Sequence, residues 1–236
     1  MFPKFRLTCT ADDLAHWAGI VSSTLPKLSL VHDDVFPSVH PVLRISPVTG
    51  KRVLSAMRLG LIPSYAHDDH QADHRMEAHA EAMTCCNTFR SAFKRRRCLI
   101  PATAFHEFNQ VARPGSEPSS FSLDNEAIFA IAGVWESWTD DAGEVVESFA
   151  LIDVHPTPAL SRYFDRIPVV IEQSAQEHWL SSAVLPLETL KPLSSVELEA
   201  WKIMPYIVLP SLEAKVAAHQ ETSQEQTLNK EKVYQG

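Results

Sequence analysis

The stretch Phe89–Glu107, FRSAFKRRRCLIPATAFHE, constrains the fold of this chain more than any other segment. It opens with a basic amphipathic run, Arg90, Lys94, Arg95, Arg96 and Arg97, that predicts a helix over Asn87–Arg96. It then turns apolar at Cys98–Pro101, short enough for a buried strand, and continues into a second strand, Ala104–Phe108, that carries Glu107. A basic helix feeding a covered strand with a lone acid among aromatics predicts a polyanion-binding cleft with a proton-transfer group inside it.

The rest of the chain alternates short strands with short helices. A strand is expected over residues 2–8, then a helix over Asp12–Val21 opened by an Asp cap. Val39–Ile45 and Arg52–Leu61 read as strands around a turn at Pro47–Gly50, and Ala127–Trp138 and Val145–Asp153 as a hairpin around Asp140–Gly143. The polar stretch Tyr65–Met83 reads as loop or irregular helix. Pro158–Phe164 reads as a short helix, Ile167–Ile171 as a strand and Ser174–Ser181 as a helix. This order is α+β and not βαβ. An apolar content of 45% over 236 residues suits a single core, expected over 1–210, with a polar tail over 211–236.

The net charge of −8 excludes a generic nucleic-acid coat, so any DNA contact must come from a local basic patch. Cys9, Cys85, Cys86 and Cys98 form no CxxC pair, and free thiols in a reducing cytoplasm are expected. No secretory leader and no membrane span are expected, since no apolar run reaches about 18 residues.

Five blocks resemble the SOS-response-associated peptidase (SRAP) family of abasic-site-processing proteins. They are Arg58–Tyr65 (RLGLIPSY), Glu77–Glu81 (EAHAE), the block from Phe89, Ala132–Trp138 (AGVWESW) and Phe164–Pro168 (FDRIP). The resemblance implies a bent, bifurcated β-sheet that forms a pseudo-barrel with surrounding helices. It also implies a basic groove for single-stranded DNA, and neither cofactor nor metal. In that family the residue after the initiator Met is a Cys whose amine and thiol trap the aldehyde of an abasic site as a thiazolidine. A Glu and a His move protons, and an Asn and several Arg position the N-terminus and the phosphates.

Carried onto this chain, the resemblance makes Glu107 the one retained catalytic position. Phe2 stands for the Cys, Glu77 for the Asn and Phe164 for the His. Pro3 replaces a glycine, and a bulky Phe2 disfavours removal of Met1. The DNA contacts implied are Lys4, Arg58, His79, Arg90, Phe108 and Arg166, with a further contact at Arg97. His79 replaces an arginine, and Leu59, Tyr65 and Phe108 replace base-stacking tryptophans.

Three functions follow. The first is a DNA-damage-associated protein that binds single-stranded DNA weakly without a covalent trap. The second is a crosslinker or peptidase with a substitute nucleophile, the Met1 amine or Lys4. The third is a protein-interaction module on an old enzyme scaffold. His67, His70 and His74 would share one face of a helix, but the stretch reads as solvated loop and not as a metal site. Trp135 and Trp138, three apart on a strand, are expected on opposite faces with at least one in the core.

Overall fold

In the computed structural model the described residues are 4–26, 31–32, 38–70, 72–107, 119–123, 125, 127–158, 160–161, 164–181, 183, 185–193 and 201–205. Strands β1 (Lys4–Thr8), β2 (Val31–His32), β3 (Val39–Ile45), β4 (Arg52–Leu59) and β5 (Glu77–His79) come first. Then come β6 (Arg97–Ala102), β7 (Ala104–Glu107), β8 (Ser119–Leu123), β9 (Phe129–Thr139) and β10 (Val145–Val154). The series closes with β11 (Ile167–Pro168), β12 (Val170–Ile171) and β13 (Trp201–Pro205). The α-helices are α1 (Ala11–Ala18), α2 (Asn87–Arg95) and α3 (Gln176–Leu180).

The larger sheet runs β11-β10-β4-β3-β6-β9-β12, and β9 pairs back to β10 along Val145–Leu151. That second pairing closes β10, β4, β3, β6 and β9 into a barrel, which removes sheet edges. The other sheet runs β13-β8-β7-β1-β2. The two sheets share one continuous stretch of chain. Strand β6 belongs to the barrel, β7 to the second sheet, and Thr103 is the corner between them. Its N–H donates to the Arg6 carbonyl at 2.7 Å, and its hydroxyl receives the Thr8 N–H at 3.1 Å. This is the bifurcated α+β pseudo-barrel that the family resemblance implies.

Local chemistry explains the elements. Helix α1 starts at Thr10 and not at an Asp: Thr10 and Asp13 form a reciprocal capping box, and Gly19 ends the helix at φ 66°. Every residue of β6 is buried, because α2 and α3 cover the face that the barrel interior leaves open. The β9–β10 hairpin turns at Asp140, whose Oδ1 accepts from Ala142 and Glu144 N–H at 2.9 and 2.8 Å. Gly133 faces the interior, where a Cβ would come within 2.4 Å of Ile100 Cδ1 and 2.9 Å of the Ala150 carbonyl. Gly60 holds φ 100°, and a Cβ there would lie 2.6 Å from the Ala72 carbonyl oxygen.

Three readings need correction. Ile167–Ile171 is not one strand. Strand β11 pairs with β10, β12 pairs with β9, and Val169 between them accepts from Ala132 N–H and donates to the Ile152 carbonyl. No α-helix is assigned among the described residues of 158–164. The chain there makes a turn, with Ser161 N–H donating to Thr157 and Phe164 N–H to Leu160. The polar stretch 65–83 contains a strand, β5, beside short 3-10 turns at Ala72–His74 and Ala80–Ala82. Trp135 and Trp138 are both buried, in separate clusters, and the Trp138 indole donates to the Ala66 carbonyl at 2.8 Å. The boundary expected near 210 and the tail lie outside the described residues. No described helix is long and apolar enough to cross a membrane.

Candidate nucleic-acid interface

The residues singled out in the sequence fall into three groups. Phe2 and Phe108 lie outside the described residues. The backbones of Lys4 and Glu107 are described and their side chains are not. Strand β1 pairs antiparallel with β7, Lys4 opposite His106, so the start of β1 lies beside the strand end that carries Glu107.

Phe164 stands beside the same strand and is sealed. Its exposure is 1%, and its ring lies 4.4 Å from that of Phe121 and 5.5 Å from that of Phe105, centroid to centroid. Phe105 in turn stacks on Phe121 at 5.3 Å and contacts Trp201. Where the resemblance implies a proton-transferring imidazole, the chain has a hydrocarbon anchor in an aromatic cluster.

The second group gathers at the end of β10. Strand β5 joins β10 in parallel, with Glu77 opposite Leu151 and His79 opposite Asp153. Glu77 and His79 therefore share one face of β5. Asp153 is fully buried, and its Oδ1 lies 2.7 Å from His79 Nδ1 and 2.6 Å from Arg166 Nε. Arg166 reaches on to Glu81 at 2.6 Å. Burial pushes the Glu81 carboxyl up, but backbone hydrogen bonds and Arg166 outweigh it and hold the group below its ordinary range. Arg58, on β4 opposite Ser148 of β10, is paired with Asp69 at 2.5 Å, and that contact holds the Asp69 carboxyl low. The expected phosphate contacts His79, Arg58 and Arg166 thus each hold a carboxylate, which offsets much of what they offer a phosphate. Sequence reasoning missed Asp153 as the shared partner of His79 and Arg166. It ends an apolar strand, and nothing local marks it.

The third group is the basic run itself, whose cations have different fates. Arg97 begins β6 and is 4% exposed. Its guanidinium donates to the carbonyls of Trp179 and Phe93 at 2.6 Å each, and also to that of Ser181. It is a structural residue, not a phosphate contact. Arg96 grips Glu136 through two nitrogens, one at 2.8 Å. Burial raises the Glu136 carboxyl, and Arg96 partly offsets this. Arg90, Lys94 and Arg95 project from α2, exposed and without an ion pair among the described residues, with Asn87 and Ser91 beside them.

The remaining candidates disperse. Tyr65 is 66% exposed, and Leu59 packs against the core. His67, His70 and His74 do not share a helix, and no group of metal-ligating side chains occurs among the described residues. All four cysteines are free. Cys98 is fully buried, and burial pushes its thiol far up.

Comparisons with known proteins agree with this fold. The family model for the SOS response associated peptidase (SRAP) matches residues 3–208. The chain is similar to the abasic site processing proteins YoaM and YobE of Bacillus subtilis. Identity is 27% over 75% of this chain and 79% of YoaM, and 26% over 90% of this chain and 98% of YobE. Against the abasic site processing protein HMCES of Xenopus tropicalis it is 23% identical, over 63% of this chain and 51% of that protein. A crystal structure of a protein from Bacteroides thetaiotaomicron superposes with a TM-score of 0.71 at 22% identity, covering 86% of this chain and 92% of that one. One from Bordetella bronchiseptica gives 0.69 at 18%, covering 88% and 100%. The pseudo-barrel and the match across its length make this chain a member of the SRAP family.

Proposed function

We propose that this protein associates with single-stranded DNA carrying abasic sites through non-covalent phosphate contacts, and that it does not form the covalent crosslink. Its relatives are named for abasic-site processing, which supports the substrate class. The observation that carries the reading is the split among its cations. Arg58, Arg166 and His79 are neutralised by carboxylates, whereas Arg90, Lys94 and Arg95 stand exposed on one helix without an acid. In a chain of net charge −8, such a patch is where phosphate docks with least repulsion. The loss of crosslinking rests on Phe2 in the nucleophile position and on the sealed Phe164.

Fluorescence anisotropy with a labelled single strand tests the binding. Affinity should fall steeply with salt, with a slope corresponding to about three phosphates. Arg90→Ala should weaken binding on every sequence alike, because phosphate contacts carry no base information. No binding at low salt, or binding indifferent to Arg90→Ala, sinks the reading and leaves the protein-interaction module in its place.

A further inference from the structure

The hydrogen bonds around Asp153 fix where the protons of two histidines sit. His155 directly follows β10, its side chain is 74% exposed, and its Nε2 lies 3.2 Å from Arg166 Nη1. A guanidinium only donates, so this Nε2 accepts and the His155 ring is neutral, with its proton on Nδ1. Glu81 Oε1 lies 3.9 Å from the same Nε2, while Glu81 Oε2 accepts from Arg166 Nη2 at 2.6 Å. On the other side of Arg166, the buried Asp153 carboxylate accepts from Arg166 Nε and from His79 Nδ1 through one oxygen. His79 therefore keeps Nε2 as its basic nitrogen, on a side chain that is 52% exposed.

Imidazole is the side chain whose charge changes between about pH 5 and 8. With both rings neutral, the five side chains Glu81, Asp153, Arg166, His79 and His155 carry one net negative charge. Glu77, on the His79 face of β5, adds another. Together they repel a phosphate. A proton on His155 sets two donors face to face at the Arg166 contact, and the ring turns to Glu81 Oε1 instead. Arg166 Nη1 then has no acceptor, and Glu81 divides its charge between two cations. A further proton on His79 leaves the five side chains with one net positive charge.

We infer that this cluster is a second phosphate site, closed while His155 is neutral and opened by its protonation, at which Arg166 Nη1 and the His155 imidazolium hold one DNA phosphate. The inference takes its ligand from the DNA-binding reading above, but it does not depend on α2.

Fluorescence anisotropy with a labelled single strand at about pH 8 and about pH 5.5, each across a salt series, tests this. Acidification should tighten binding at least fivefold at fixed salt, and the counterion slope should grow by about one phosphate. His155→Gln, an exposed change that leaves the fold alone, should remove most of the tightening and the added slope. Glu81→Gln, which deletes the competing carboxylate, should tighten binding at the higher pH and shrink the pH effect. Arg90→Ala should weaken binding at both pH values and leave their ratio unchanged. By linkage, the oligonucleotide should move the titration of the His155 ring protons, followed by NMR, to higher pH. The inference is overturned if His155→Gln keeps the parent's pH ratio and slope change, or if DNA leaves the His155 titration where it was, even with Arg90-dependent binding intact. Binding at the lower pH alone, lost in His155→Gln, upholds the inference and sinks the α2 reading. Absence of binding at both pH values overturns both.

Discussion

Arg90 and Arg97 lie seven residues apart in one basic run and do opposite work. Arg97 donates to the carbonyls of Phe93 and Trp179, both buried, and to those of Lys94 and Ser181, so Arg97→Met leaves the buried acceptors orphaned and should cost about 3 kcal/mol. Arg90→Ala removes an exposed side chain and should change stability by under about 0.5 kcal/mol. Urea denaturation of the two variants checks the contrast, and equal losses would contradict it. The run announced a basic helix, but not which arginine turns inward. That is decided at Arg96, where the backbone leaves the helix at φ −131° and ψ 58° and the side-chain period changes from helical to strand. Phe164 shows the same limit. Its identity ruled out proton transfer, while its seat against Phe105 and Phe121 depends on strands distant in sequence. Phe164→Ala should cost about 3–5 kcal/mol by the same denaturation measurement. Phe164→His should also destabilise, because it buries a polar ring among hydrocarbons. A Phe164→His variant as stable as the parent would show that the pocket is polar after all.

Element by element, the long apolar strands were legible and the short ones were not. Strands β9 and β10 and the turn between them followed from the two apolar runs on either side of Asp140–Gly143. Strand β5 escaped notice because only three residues form it, within a stretch rich in His and Asp; its stability comes from backbone pairing to β10. That pairing matters for pH. Arg166 ties Asp153 on β10 to Glu81 just beyond β5, and Arg58 on β4 holds Asp69 in the loop that follows. Glu81 and Asp69 both have folded-state pKa values below their ordinary 4.5 and 3.8. Such groups stabilise the fold above those ordinary values, and the contribution is lost as pH falls through the lower folded values. Thermal denaturation should therefore show Tm dropping below about pH 4.5, and the double variant Glu81→Gln with Asp69→Asn should flatten that limb. An unchanged acid limb in the double variant would refute these ties.

At the scale of the whole molecule, the barrel and the second sheet meet at Thr103, and the family architecture persists along the matched chain. The fold was legible because its motifs occur in order along the chain. The fate of the site was only half legible. The departures that the resemblance implies at Phe2, Glu77 and Phe164 were readable in the sequence, whereas the carboxylate partners of Arg58, His79 and Arg166 emerged only from the folded chain. The central claim is that the scaffold survives without its covalent chemistry. The most direct measurement is incubation of the full chain with single-stranded DNA carrying one abasic site, followed by a denaturing gel after heating. No heat-stable protein–DNA adduct should form, with the abasic site processing protein YoaM run in parallel as the comparison. An adduct in comparable yield would contradict it and place the reaction on another nucleophile of this chain.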